Sequence, residues 1–208
     1  NIISNKILNS ERFLGGVWAA AGHVRGFVKV VQVQTASTST LKRRFVETGY
    51  IRKLFETHEE QPFYEISAPN PLGFDLVVVT DFGHGCLTTD LISLLTASKT
   101  FLAVNAQTNS SNLGFNLITK YSKADYVVLD ELEARLAAHD RDSDIEDVIL
   151  KLGFQRIIVT LGPNGAIGYD VKFYRDEGKH GVVVDTMGAG DAFFCVTAPF
   201  AAAGASMP

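Results

Sequence analysis

Cysteine is scarce in this 208-residue chain: Cys86 and Cys195 are the only two, and neither has a metal-ligating partner at close spacing. Such sparing use fits a reducing compartment, so a cytoplasmic location is expected. No apolar run is long enough to span a membrane, and no signal-peptide pattern is visible. An excess of positive charge is also missing. The 19 Lys and Arg against 23 Asp and Glu leave a net charge of −4, which gives no overall signal for nucleic acid. There is no Gly-x-x-x-x-Gly-Lys-Ser/Thr loop, which excludes a P-loop enzyme. No Gly-x-Gly-x-x-Gly follows the first strand, which argues against a dinucleotide-dependent dehydrogenase. The five histidines have no partner at metal or triad spacing. The chain opens on Asn1 rather than Met and few residues follow Asp191, so truncation at one or both ends is expected.

What is present is a globular composition, 46% hydrophobic and 20% charged, enough for a substantial core and most simply one domain over residues 1–208. After residue 75, apolar runs of strand length alternate with helical stretches. The runs are Leu76–Val79, Phe101–Val104, Asp125–Leu129 and Gln155–Thr160, with an outgoing strand at Ile167–Asp170. This predicts a three-layer α/β fold with a mostly parallel central sheet. Thr88 or Thr89 caps the helix carrying Leu91, Ile92, Leu94 and Leu95, and Ser143-Asp144-Ile145-Glu146 reads as a capping box. Residues 41–55 predict a β-hairpin around Thr48-Gly49, with Lys42-Arg43-Arg44 on one arm and Arg52-Lys53 on the other. Residues 56–71, with Pro62, Pro69 and Pro71, read as the return to the main sheet, and residues 172–181 as surface without a period.

The most informative stretch is residues 182–194. Val182–Val184 reads as a short buried strand, Gly188-Ala189-Gly190 as a turn, and Asp191 as the start of a helix. A helix start presents unpaired N–H groups and the positive end of the dipole, and glycines let an anion approach the backbone. An acid inside such a cradle repels a phosphate. It makes chemical sense if Asp191 takes a proton from a hydroxyl that attacks the phosphate.

The string Asp185-Thr186-Met187-Gly188-Ala189-Gly190-Asp191 resembles the signature of the ribokinase-like (PfkB) carbohydrate kinases. The resemblance implies an ATP-dependent phosphotransferase acting on a sugar or sugar phosphate, with Asp191 as catalytic base and Gly188, Ala189 and Gly190 forming an anion hole. Gly15-Gly16 resembles the family's Gly-Gly motif beside the sugar, although Trp18 and His23 depart from its usual pattern. Thr80–Gly85 resembles the Ser-Asp-Tyr-x-x-Gly segment, which implies a substrate-binding Asp81; His84 stands where relatives often carry Lys. Thr160-Leu161-Gly162-x-x-Gly165 is similar to the nucleotide-phosphate loop, and Asn105 and Thr186 are further expected nucleotide contacts. Asp130-x-x-Glu133 stands where the family has Asn-x-x-Glu, linked to the Mg²⁺ that accompanies the nucleotide.

The Lys42-Arg43-Arg44-Phe45-Val46 arm looks most like the heptose 7-phosphate kinase branch, so Lys42 and Arg44 are expected to meet a phosphorylated substrate across a small lid. The resemblance also implies a homodimer clasped through that lid and, in the heptose-like branch, a fused nucleotidyltransferase domain. Two alternatives remain open on the residues alone. One is a nucleoside or vitamin-type alcohol kinase of the same fold, and the other is a non-catalytic nucleotide- or sugar-binding module.

Overall fold

The apolar runs pair side by side in the computed structural model, which describes residues 6–35, 41–47, 52–59, 73–109, 111–178, 181 and 186–207. Strands β1 (Leu41–Glu47) and β2 (Arg52–Glu59) form a separate antiparallel pair. The main sheet runs in chain order through β3 (Leu76–Asp81), β4 (Phe101–Ala106), β5 (Tyr126–Asp130), β6 (Arg156–Thr160), β7 (Ala166–Asp170) and β8 (Lys172–Asp176). Strands β3 to β6 are parallel, and β7 and β8 close the sheet antiparallel. The helices are α1 (Gly16–Val24), α2 (Thr89–Ala97), α3 (Glu131–Ala138), α4 (Ile145–Leu152) and α5 (Ala189–Ala202).

Alternation along the strands divides the core in two. Leu102, Val104, Val127, Leu129, Ile157 and Val159 point to one face, where α2, α3 and α4 cover them. Ala103, Tyr126 and Val128 point to the other, against Phe194, Cys195 and Ala198 of α5 and Ala20 and Val24 of α1. This is the predicted three-layer α/β arrangement. It works because β4 and β5 are apolar at consecutive positions, as strands buried on both faces must be. Small residues decide how closely the second layer approaches. A Cβ on Gly168 of β7 would run into the Met207 sulfur.

Several local features differ from the sequence expectations. The second lid arm continues to Glu59, beyond the 41–55 hairpin, because Leu41 pairs with Glu59 and Arg44 with Glu56. The expected turn at Thr48-Gly49 and the prolines of residues 62–71 lie outside the described residues. Thr88 is the cap of α2, its hydroxyl accepting from the Leu91 N–H. No capping box forms at residues 143–146: Asp144 is the N-cap without a side-chain bond, and the Ser143 hydroxyl turns back to Asp140. Residues 172–176, read as surface, form edge strand β8, whose Phe173 packs against Tyr169 of β7. Helix α5 begins at Ala189, two residues before Asp191, with Gly188 as N-cap at φ 78°. A side chain at that φ is strained, so glycine suits it. The strand expected at Val182–Val184, and Asp185 after it, fall outside the described residues.

Candidate active site

The C-terminal ends of the parallel strands lie along one edge of the sheet. Asp81 is in register with Ala106, and Asp130 with Thr160. In open α/β sheets this is the edge where ligands bind. The first turn of α5 carries Asp191 over it, and α5 packs against β3, β4 and β5.

Asp191 is half-buried, and the side-chain amide of Gln107 donates to its Oδ1. Burial pushes the Asp191 carboxyl up from its ordinary value, while the Gln107 bond and the field of His23 oppose the rise. Among the described residues, Gly190 has open space where a Cβ would sit, as does Gly188. Gly188, Ala189 and Gly190, expected from the sequence to form an anion hole, stand at the N-cap and in the first turn of α5 beside Asp191.

Gln107 extends a loop that holds several elements together. Its N–H donates to the Asp81 carbonyl (2.8 Å), and its carbonyl accepts from Asn116 Nδ2 (3.0 Å). The next N–H, of Thr108, donates to Glu133 Oε1 (2.9 Å). Glu133 and Asp130 form a reciprocal capping box on α3: Glu133 N–H to Asp130 Oδ1 at 2.7 Å and Asp130 N–H to Glu133 Oε2 at 2.9 Å. Burial, and then the neighbouring Asp130 charge, push the Glu133 carboxyl up to about 7, and Asp191 adds to the rise. The acid-rich turn therefore works as a helix cap, whatever else it does. Among the described residues no cluster of three His, Cys, Asp or Glu could hold a metal ion.

Asp81 is 4% exposed, and its carboxylate is fully engaged. Oδ2 accepts from the Tyr121 hydroxyl (2.7 Å) and pairs with Lys120 (2.5 Å), while Oδ1 accepts from the Gly83 N–H (3.0 Å). Burial and the Asp81 charge drive the Tyr121 hydroxyl far above its ordinary pKa. The residue expected to face substrate thus anchors the loop after β3. That loop does reach the Gly-Gly segment, because Gly16 abuts the Phe82 ring so closely that no Cβ would fit. Gly15 has open space around it.

The expected nucleotide contacts divide. Asn105 is buried and donates to the Val128 carbonyl (2.8 Å), and its Oδ1 has no hydrogen-bond partner among the described residues. Thr160 Oγ1 donates weakly to the Leu129 carbonyl (3.4 Å). Gly162 is open at φ 58°, and Gly165 at φ 86° lies directly against the Asp176 carbonyl, where a Cβ could not enter. Thr186 is exposed, and its carbonyl accepts from the Ala189 N–H (3.1 Å).

The lid presents a basic face. Lys42 and Arg44 share one side of β1 with Lys53 and Glu56 of β2, around a hollow of about 310 Å³ that also touches Asn109 of the β4 loop. Arg44 bonds Glu56 (2.5 Å) and reaches the Met187 sulfur (2.8 Å), which links the lid to the glycine-rich stretch. Burial alone would raise the Glu56 carboxyl, but His58, Arg44 and Lys42 bring it down to about 2. A larger hollow of about 520 Å³ lies between α3, α4 and the β6–β7 turn. In its lining Arg135 pairs with Glu131 and Arg175 with Glu146, and Asp144 adds a further carboxylate.

Gln107, Asn116, Lys120 and Tyr121 were not singled out by sequence. Each works through a partner distant in the chain, and only the polar run at residues 105–109 after an apolar strand hinted at one of them.

A parallel sheet sandwiched by helices, a glycine-capped helix carrying an acid, and a small β lid define a ribokinase-like α/β protein. Residues 75–207 match the family described as pfkB family carbohydrate kinase, and the chain belongs to that family. No match was found among curated proteins. Solved structures with this fold include a candidate ribokinase from Agrobacterium tumefaciens (17% identity, TM-score 0.62, covering 81% of this chain and 56% of that one). Phosphofructokinase-2 from Escherichia coli in complex with fructose-6-phosphate is also similar (16%, TM-score 0.51, 73% and 55%). So is fructokinase from Vibrio cholerae with fructose, ADP and calcium bound (18%, TM-score 0.53, 71% and 54%). The chain spans about half the length of these proteins.

Proposed function

We propose that residues 1–208 act as one kinase domain that transfers a phosphoryl group from ATP to a hydroxyl of a sugar or sugar phosphate, with Asp191 as the base. The observation that carries this reading is the half-buried Asp191 carboxylate in the first turn of α5, one oxygen held by Gln107 and the Gly188–Gly190 backbone beside it. Asp191 takes the proton of the attacking hydroxyl. The N–H groups at the α5 start and the helix dipole stabilise negative charge on the phosphoryl group in transit. Asn105, Thr160, Gly162, Gly165 and Thr186 are the proposed nucleotide side of the site. Gly15 and Gly16 lie on the acceptor side, and Asp81 supports that side through the loop it anchors.

Mg²⁺ would neutralise the nucleotide phosphates when bound. The capping box suits water-mediated holding: both Glu133 oxygens accept backbone N–H groups, while the exposed Asp130 keeps its second oxygen open.

The basic lid face supports a phosphorylated acceptor, its phosphate meeting Lys42 and Arg44. A heptose 7-phosphate is an acceptor of that kind, and a neutral nucleoside or vitamin-type alcohol makes no use of those cations. The half-exposed Leu54 and Phe55 on the same hairpin support pairing of two lids in a homodimer.

Asp191→Asn tests the base. Turnover of ATP with a panel of sugars and sugar phosphates should fall by at least about 10²-fold, with binding of an ATP analogue retained. Near-normal turnover in this variant would sink the assignment. Analogue binding by the unaltered chain without turnover on any acceptor would point instead to a binding module.

A further inference from the structure

We propose that Gln107 is the positioning residue of the Asp191 base: its amide holds one carboxylate oxygen and leaves the other to take the acceptor proton. This rests on the reading of Asp191 as base and adds how that base is aimed.

Three anchors on the β4 loop carry the inference. The Gln107 N–H is fixed to the end of β3 through the Asp81 carbonyl, and its own carbonyl to the buried Asn116. The following N–H is fixed to α3 through Glu133. Asn116 cannot shift easily, because it packs against Gly83 closely enough that a Cβ there would touch it. The Gln107 side chain therefore leaves a backbone held from three elements. It makes the one hydrogen bond that any described residue offers to the Asp191 carboxylate.

Asp191 would be poorly aimed without it. An acid at the third helical position can turn back to the N-cap N–H, as Glu133 does on α3, and such a bond lowers its basicity. A donor from outside the helix draws the carboxylate away from that geometry. Gln supplies the donor without a charge. A Lys or Arg at the same place would form an ion pair and weaken the base further. The titratable groups that face Asp191 are His23 from α1, Glu133 from α3 and Cys195 one turn along α5. Of these only His23 favours the anion, so the neutral amide of Gln107 is the second support for a deprotonated base.

The tests read the base directly. In the unaltered 208-residue chain, the Gln107 side-chain amide resonances should follow the titration of the Asp191 carboxyl carbon, with one midpoint. An amide that does not respond across that titration overturns the proposal, and this needs no variant. In Gln107→Leu the Asp191 midpoint should rise by about one pH unit. In Gln107→Glu it should rise further, because two carboxylates then share a proton. The acid limb of kcat should move up with it by the same amount, while KM for ATP stays within about twofold. An unchanged midpoint or acid limb in a folded variant overturns the positioning role. Asp191→Asn separates the two ideas. Lost turnover there with flat Gln107 variants removes only the positioning role. Full turnover there removes the base assignment, while the resonance coupling of the two side chains is judged by itself.

Discussion

The Asp81 network offers a test that separates a scaffold from a substrate contact. Removing the Tyr121 hydroxyl as Tyr121→Phe deletes one hydrogen bond to a buried carboxylate, at 2.7 Å, and leaves Lys120 and the Gly83 N–H in place. Hydrogen bonds to charged groups contribute about 1.5–3 kcal/mol, so a loss of about 2 kcal/mol is expected. Asp81→Ala deletes the whole carboxylate and strands the buried Tyr121 hydroxyl, while Lys120, one-third exposed, can turn to water. The expected cost is about 3–5 kcal/mol. In the double variant the hydroxyl has no acceptor to lose, so the two losses should fall short of additive by about 2 kcal/mol. Urea unfolding at pH 7 followed by tryptophan fluorescence and circular dichroism measures all four corners of the cycle. For a chain of this size each kcal/mol also moves the thermal midpoint by about 2–4 °C. Additive losses, or an Asp81→Ala variant whose stability is unchanged while KM for the acceptor rises, would refute the scaffold role and return Asp81 to the substrate.

Gly165→Ala should destabilise by at least about 2 kcal/mol, since φ 86° strains the residue and its Cβ would meet the Asp176 carbonyl; thermal unfolding checks it. Charge reversal at the lid, Arg44→Glu, should raise KM for a phosphorylated sugar by about tenfold or more and leave KM for its neutral counterpart near its starting value; equal effects on both acceptors would remove the phosphate role. Glu133 links stability to pH. Its folded pKa, about 7, lies above the ordinary 4.5, so the protonated form is favoured by folding. That contribution is fully present below about pH 4.5 and is lost as pH rises through about 7, a change of about 3 kcal/mol. With magnesium chelated, urea unfolding of Glu133→Gln should show a correspondingly smaller fall between pH 5 and 8.

The fold was legible wherever one residue type governs the local choice. Val77, Val104 and Val127 lie in continuous apolar runs, and such runs predict strands covered on both faces. Gly188 was legible as a turn because few other residues accept its backbone angle, although the helix starts two residues earlier than Asp191 suggested. Polar side chains were harder to place, since their partners are set by the fold rather than by spacing. Ser143–Glu146 has the capping-box pattern and makes no side-chain cap, whereas Asp130 and Glu133, read for magnesium, form the box. Asp81 looked free in a strand-end loop. Its partners Tyr121 and Lys120 reach it only once the chain has folded through another strand. Gln107 showed only as part of a polar strand-end loop for the same reason, because Asp191 lies 84 residues away.

Among the described residues the lid hairpin and the main sheet share no strand pairing, and Arg44 of the lid reaches Met187 in the glycine-rich stretch. Substitutions on the hairpin can therefore accumulate without disturbing the sheet on which α5 and Asp191 pack. On the proposed reading, acceptor preference is free to drift among descendants of such a chain, while the transfer step stays under the tighter constraint of a packed core.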